Sequence, residues 1–353
     1  MGAMPADAID WAAAVRAGHR VAPTGPAVGP AEAAAVVRDL REFSARAELA
    51  VRVTTRLGAE LPVQDAEVVD RRGWITATAQ GMELLTEPLS AKMSAALAKA
   101  GGKGGRRAPS AAGSQIGAVL GFLSGKVLGQ YDPLGGDPDD PGRLLLVAPN
   151  IVKVERELEV DPTDFRLWVC LHESTHRLQF TAVPWLRDHF RAQVAAFADA
   201  TETDLPDLLK RILEGVTARR RSSADPRSWV ETIQTPAQRA VFDDLMGLMS
   251  LLEGHADFVM DAVGPDVVPS VEKIRAAFTV RRRKGQGPFD RILRSLLGMD
   301  MKTAQYVRGA AFVGAVVDRV GMDGFNTVWT SPQTLPTRAE ITDPDAWVTR
   351  VLG

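Results

Sequence analysis

The residues best placed to do chemistry are two histidines four apart with a glutamate beside the first, His172–Glu173–Ser174–Thr175–His176. An α-helix advances about 100° per residue, so positions four apart lie about 40° apart on one face. Two imidazoles at that spacing can hold one metal ion from one side. Glu173 falls about 60° round from His176, on the flank where an open coordination position would be. A carboxylate there can take a proton from metal-bound water, whose pKa the metal lowers to ~7.

Two histidines do not complete a catalytic zinc site; a third protein ligand is needed. The metzincin arrangement would put Gly at position 179 and His at 182, and the chain has Gln179 and Ala182, which excludes it. The other arrangement takes a glutamate from a separate helix, and Glu253–Gly254–His255–Ala256–Asp257 offers one. Glu253 and His255 could each ligate, but two residues apart is about 200° on a helix, so they point nearly opposite ways. Phe242, Met246, Met249 and Met260 share the Glu253 face, while Leu245, Leu248, Leu252 and Val259 share the His255 face, so the helix is enclosed on two sides. A carboxylate among methionines is costly to bury unless paired or metal-bound, whereas a neutral histidine sits in a core with one partner. Glu253 is therefore the favoured ligand, and His255 is either a core histidine or a pocket-lining group. Asp257, one turn beyond Glu253, shares its face and can hydrogen-bond a ligand histidine from behind.

A hydrolytic zinc site also needs a donor for the oxyanion formed when water attacks a carbonyl. Tyrosine is scarce, with only Tyr131 and Tyr306. Tyr306 shares a helical segment with Gly309 and Val313, which would let it pack near a pocket; the plainer reading is a buried aromatic with a bonded hydroxyl. His255 is its rival and Arg308 a weaker one. The single cysteine, Cys170, lies two residues before His172, on the opposite face, and reads as a small core residue. His19 and His189 stand alone and read as surface or packing residues.

These side chains must be carried by well-marked helices. Asp161–Pro162 announces the one bearing the histidines, since Asp suits the N-cap and Pro the first helical position; it runs through Phe180. Thr235–Pro236, with Gln238 completing a capping-box pattern, opens a helix to about Asp261. A third runs from about Met301 to Val320 and ends at Gly321. Earlier, Pro30 to Leu49 repeats apolar residues at helical spacing, a second candidate helix precedes Ala100, and Ile116 to Leu128 also reads as helix. Arg143 to Ala148 is the clearest strand, while Gln130–Tyr131–Asp132–Pro133 and Gly135–Gly136–Asp137–Pro138 read as turns. The segment with Pro332, Pro336 and Pro344 is expected to wrap the surface. The glycine-rich basic stretch Gly101–Arg107 is the best boundary, dividing an N-terminal helical region (1–114) from a catalytic region (115–353).

Composition narrows the classes. The 353 residues carry 42 Lys+Arg against 44 Asp+Glu, a formal net charge of −2, and are 45% apolar. Disorder is thereby excluded, and so is a global electrostatic footprint for nucleic acid. The basic runs Arg219–Arg221 and Arg281–Lys284 lack the interleaved aromatics that a single strand would stack on. One cysteine excludes a disulfide framework and fits a reducing compartment, the cytoplasm. Gly117 to Gly129, the most apolar stretch, is broken by Ser124 and Lys126 and falls short of the ~20 residues that span a bilayer.

The E-x-x-x-D spacing of Glu253 and Asp257 resembles the third-ligand helix of the gluzincin metallopeptidases, in which the glutamate binds zinc and the following acid orients a histidine. More closely, several strings resemble an actinobacterial zincin-like family described as zinc-dependent metalloproteases or hydrolases, some labelled for biosynthesis of the deazaflavin coenzyme. They are Val127–Asp132, His172–Phe180, Pro184–Arg187, Glu253–Asp261, Leu296–Gly298, Gln305–Tyr306 and Leu335–Thr337. The resemblance spans roughly residues 115 to 350 and implies a zincin-like fold with one zinc.

The resulting expectation is a mainly α protein with a small β element. It holds Zn2+ through His172, His176 and Glu253, uses Glu173 as general base on water attacking a peptide or amide carbonyl, and has Asp257 behind the ligands. The expected partner is a peptide or small amide substrate, with no nucleic acid and no membrane; oligomeric state stays open. The alternatives are a zinc hydrolase of a small amide or ester, and an interaction protein with a structural zinc site.

Overall fold

The computed structural model describes residues 9–99, 107–135, 142–200, 236–284 and 304–353, with the side chains of 88–99, 107–109, 197–200, 236–238, 282–284 and 304–307 left aside. The described chain is mostly helical around one small sheet. Its elements run α1 (Trp11–Val21), α2 (Pro30–Thr55), β1 (Glu67–Val69), α3 (Arg71–Lys99), α4 (Arg107–Leu123), β2 (Gly129–Asp132), β3 (Arg143–Val147), α5 (Ala148–Leu158), α6 (Pro162–Thr181) and α7 (Leu186–Ala200). Then follow α8 (Pro236–Ala262), α9 (Val271–Lys284), α10 (Ala304–Phe325), three short 3₁₀ turns and α11 (Pro344–Leu352).

The sheet is ordered β1-β3-β2, with β1 parallel to β3 and β2 antiparallel to it. The run Leu144–Leu145–Leu146–Val147 is buried throughout because helices cover both faces of the central strand. Successive residues point to opposite faces. Leu144 and Leu146 join a core with α2 and α6, whereas Leu145 and Val147 join one with α1, α3 and α4. A third core gathers Leu248, Leu251 and Leu252 of α8, Phe312, Val313 and Val316 of α10, and the C-terminal Trp347 and Val348.

Helix α6 is buried along most of its length. Asp161 caps it by accepting from the Asp164 N–H at 3.0 Å, and Pro162 occupies the first turn. A helix enclosed on every side must satisfy its charged residues internally. Arg166 makes a two-toothed pair with Glu155 of α5, at 2.9 and 2.7 Å, and reaches Asp39 of α2 at 2.9 Å. Arg177 pairs with Glu48 of α2 at 2.5 Å and also donates to the Gln64 carbonyl. Arg52 binds the other oxygen of Glu48. These pairs fix the rotation of α6 about its own axis.

Helices α8 and α10 touch backbone to backbone. A Cβ added at Gly309 would lie 2.2 Å from the Ser250 carbonyl oxygen, and one added at Gly254 would lie 2.2 Å from the Gly309 carbonyl carbon. That crossing sits beside Glu253 and holds its helix from behind.

Several expectations are corrected. Gln130–Tyr131–Asp132 is strand β2, because pairing with β3 and burial of Tyr131 and Asp132 outweigh turn-like composition. The turn comes immediately after, where the Asp132 carboxylate accepts from the Leu134 and Gly135 N–H groups at 3.1 and 2.9 Å. Helix α4 starts earlier than expected and ends at Leu123 rather than Leu128. The helix expected to stop at Gly321 breaks there, with φ 73°, but resumes to Phe325. The proline-rich tail does more than wrap the surface: Pro332 and Pro344 open helical turns, and Trp347 is wholly buried with its indole N–H on the Thr334 carbonyl at 2.8 Å. The expected cap at Thr235, the turn at Gly136–Pro138, the boundary stretch at 101–106 and the basic run at 219–221 lie outside the described residues. Among the described residues, no helix is long and apolar enough to cross a membrane.

Replacing Glu48 by Leu strands the Arg177 cation in the core and is expected to lower stability by about 3–5 kcal/mol in urea denaturation. Adding Arg177→Met removes the stranded charge, so most of the loss is expected to be recovered. Additive losses from the two substitutions would mean that the pair does not anchor α6.

Candidate metal centre

Helix α6 presents His172 and His176 on one face, one turn apart, as helical geometry dictates. Their Nε2 atoms lie 3.2 Å apart with the rings perpendicular. Helix α8 brings Glu253 against both, with carboxylate oxygens 3.6 Å from His172 Nε2 and 3.7 Å from His176 Nε2. One ligating atom from each of the three lies within 4.8 Å of the others. Two imidazole nitrogens and a carboxylate oxygen are ordinary ligands of zinc, so the donor set fits that ion. The side chains are 22%, 13% and 27% exposed, so the group is sheltered yet reachable from solvent.

The same residues perturb one another's protons. Burial works against a proton on His172, but contact with Glu253 and the charge of Glu173 outweigh it and hold His172 at about 9. Burial pushes His176 below the usual imidazole range. Glu173 is 6% exposed, and burial pushes it up to about 7, opposed by the His172 charge and aided by that of Glu253. Strand β2 runs directly alongside: a Cβ at Gly129 would lie 2.6 Å from Glu173 Cγ, 2.7 Å from Cδ and 2.8 Å from Oε1. Gly129 thus leaves the space that the Glu173 side chain fills.

The other expected site residues are distributed differently. Asp257 lies 3.5 Å from Arg275 of α9, and its charge raises the proton affinity of both histidines. His255 is wholly buried, with Phe325 and Trp329 ring centroids 5.3 and 5.4 Å away. Burial pushes it down to about 3. Of the two readings of His255, this placement matches the core histidine, since its face of α8 meets the aromatic C-terminal core. The side chain of Tyr306 lies outside the described ones, and Arg308 is exposed near the start of α10. Cys170 is buried at 3.9 Å from the Leu40 carbonyl oxygen, and burial pushes its thiol up.

One contributor went unnoticed in the sequence. Gln179 accepts at Oε1 from His176 Nδ1 at 2.9 Å and reaches α8 through Nε2, 2.9 Å from the Leu252 carbonyl oxygen and 3.1 Å from His255 Nδ1. Its position three residues after His176 was the available signal, since such residues are neighbours on a helix. Its partner on α8 is a backbone carbonyl, which no residue type reveals.

Comparison with known proteins agrees with this architecture. A family model described as zincin-like metallopeptidase matches residues 9–348. A crystal structure from Chloroflexus aurantiacus, described as a "putative hydrolase with a novel fold", is 31% identical. The match covers 97% of this chain and 98% of that one, with a TM-score of 0.70. No curated protein matches the chain.

A methyl group at position 129 has to displace Glu173. Gly129→Ala is expected to destabilise the protein by about 1–3 kcal/mol through overpacking, and by clearly less when Glu173 is already Ala. Equal losses in both backgrounds would show that the two positions are independent.

Proposed function

The chain belongs to the zincin-like metallopeptidase family, and from that premise we propose that it is a zinc-dependent hydrolase that cleaves a peptide or amide bond. The observation carrying this reading is the convergence of His172, His176 and Glu253 within 4.8 Å, with Glu173 on their flank. His172, His176 and Glu253 would hold the ion. Zinc, when bound, supplies a Lewis acid that polarises a carbonyl and lowers the pKa of the water it holds.

Glu173 then has a defined task. Its buried carboxylate, raised to about 7, is suited to take a proton near neutral pH. It receives the proton of the attacking water as the water oxygen bonds the carbonyl carbon. It returns that proton to the leaving nitrogen as the C–N bond breaks. Gly129 keeps the carboxylate in place by leaving room for it. Asp257 and Gln179 support the histidines from behind, by charge and by hydrogen bond respectively.

Two features bear on the alternatives. A purely structural zinc site closes with four protein ligands; among the described residues the group holds three, and His255 is turned into the core. A base beside the ligands also has no purpose in such a site. A peptide is favoured over a small amide or ester because β2, which borders Glu173, has a strand on one side only among the described residues. An extended chain can add to such an edge by main-chain hydrogen bonds.

Zinc affinity, read by chelator competition, is expected to collapse in Glu253→Ala and to survive in His255→Ala. Against a library of quenched fluorescent peptides, Glu173→Gln is expected to lose activity by about 10²–10⁴-fold with zinc content unchanged. Undiminished cleavage by Glu173→Gln would refute the general-base role, and tight zinc binding by Glu253→Ala would refute the ligand set.

A further inference from the structure

We infer that Gln179 is a positioning residue that sets the tautomer of His176, and that it is itself set by the backbone carbonyl of Leu252. Its hydrogen-bond partners leave one consistent arrangement. Gln179 is wholly buried, and its side-chain amide meets three groups: His176 Nδ1 at 2.9 Å, the Leu252 carbonyl oxygen at 2.9 Å and His255 Nδ1 at 3.1 Å. A backbone carbonyl only accepts. The amide atom facing Leu252 must therefore be the NH2, which resolves the two orientations an amide can otherwise take.

The rest follows in order. With Nε2 turned to α8, Oε1 faces His176 Nδ1, and an amide oxygen can only accept. Nδ1 must then carry the hydrogen. A neutral imidazole carries one, so the lone pair is left on Nε2. That Nε2 is the atom 3.2 Å from His172 Nε2 and 3.7 Å from Glu253. The lone pair of His176 is thus aimed into the candidate metal centre before any ion arrives. The reversed amide would set two buried oxygens against each other and offer His176 a donor, favouring the tautomer with its hydrogen in the ligating position. The second N–H of Gln179 donates to His255 Nδ1, which places the His255 hydrogen on Nε2, a buried atom without a hydrogen-bond partner among the described residues.

Leu252 immediately precedes Glu253, so one turn of α8 supplies both a ligand candidate and the acceptor that orients its partner on α6. At His172 the contact of Nδ1 is of another kind, with Met260 Sδ at 3.2 Å, and a thioether is a weak acceptor. The consequence for affinity rests on the zinc reading above, whereas the tautomer does not.

The test uses the full chain with 15N-labelled histidine. Two-bond proton–nitrogen correlation spectra of the metal-free protein are recorded at about pH 8, where an ordinary imidazole is neutral. The wild type is expected to show His176 with its hydrogen on Nδ1. His255→Phe is expected to keep that state, since the Leu252 carbonyl remains. Gln179→Leu is expected to show mixed tautomers and about 10–100-fold weaker zinc binding by chelator competition. A wild-type spectrum with the hydrogen on Nε2 overturns the inference, as does a folded Gln179→Leu protein that still holds the hydrogen wholly on Nδ1. If Gln179→Leu does not fold, the wild-type spectrum decides alone. Failure of the wild type to bind zinc would refute the hydrolase reading while leaving the tautomer measurable.

Discussion

Where α6 crosses α8, two imidazoles and two carboxylates are drawn out of water together, and a group of this kind is costly unless its charges are shared. The structure shares them closely. Glu253 lies within 3.7 Å of the Nε2 atoms of both histidines, Glu173 is buried beside them, and Asp257 acts on both histidines by charge. Contact with Glu253 and the charge of Glu173 favour a proton on His172 against the cost of burial. A divalent cation would neutralise the same carboxylates more completely, which is why the site reads as built to receive one.

Such a site demands a rigid mounting. Helix α6 has it because its other faces are pinned by buried pairs: Arg166 to Glu155 and Asp39, and Arg177 to Glu48. Arg177 directly follows His176, so the ion pair to α2 on one side fixes the direction of the imidazole on another. Helix α8 is fixed by its glycine contact with α10 and by the aromatic core that encloses His255. The N-terminal helix α2 is therefore part of the support for the site, and β3 links the two through a strand with a core on each face.

The edge strand β2 shows where local sequence rules were overridden. Gln130 to Pro133 has the composition of a turn, yet pairing with the apolar β3 makes it a strand. Its first residue is glycine because the Glu173 side chain occupies the space a Cβ would need. The tail likewise looks like an irregular surface segment by its prolines, but two of them, Pro332 and Pro344, sit at helix starts, where the missing N–H leaves no bond unmade. In each case burial against a distant element decided the outcome.

By itself the sequence determined what is local and periodic. The spacing of His172 and His176 put both on one face, Asp161–Pro162 marked the start of their helix, and the run from Leu144 to Val147 marked the central strand. It also established that Glu253 and His255 point opposite ways on α8. Which of the two lies against His172 and His176 was a matter for tertiary structure, since the helical repeat gives the angle between side chains and not the rotation of the helix in the molecule. The Leu252 carbonyl acting on Gln179 is further out of reach of sequence, because every residue has the same carbonyl and only packing selects the one that is used.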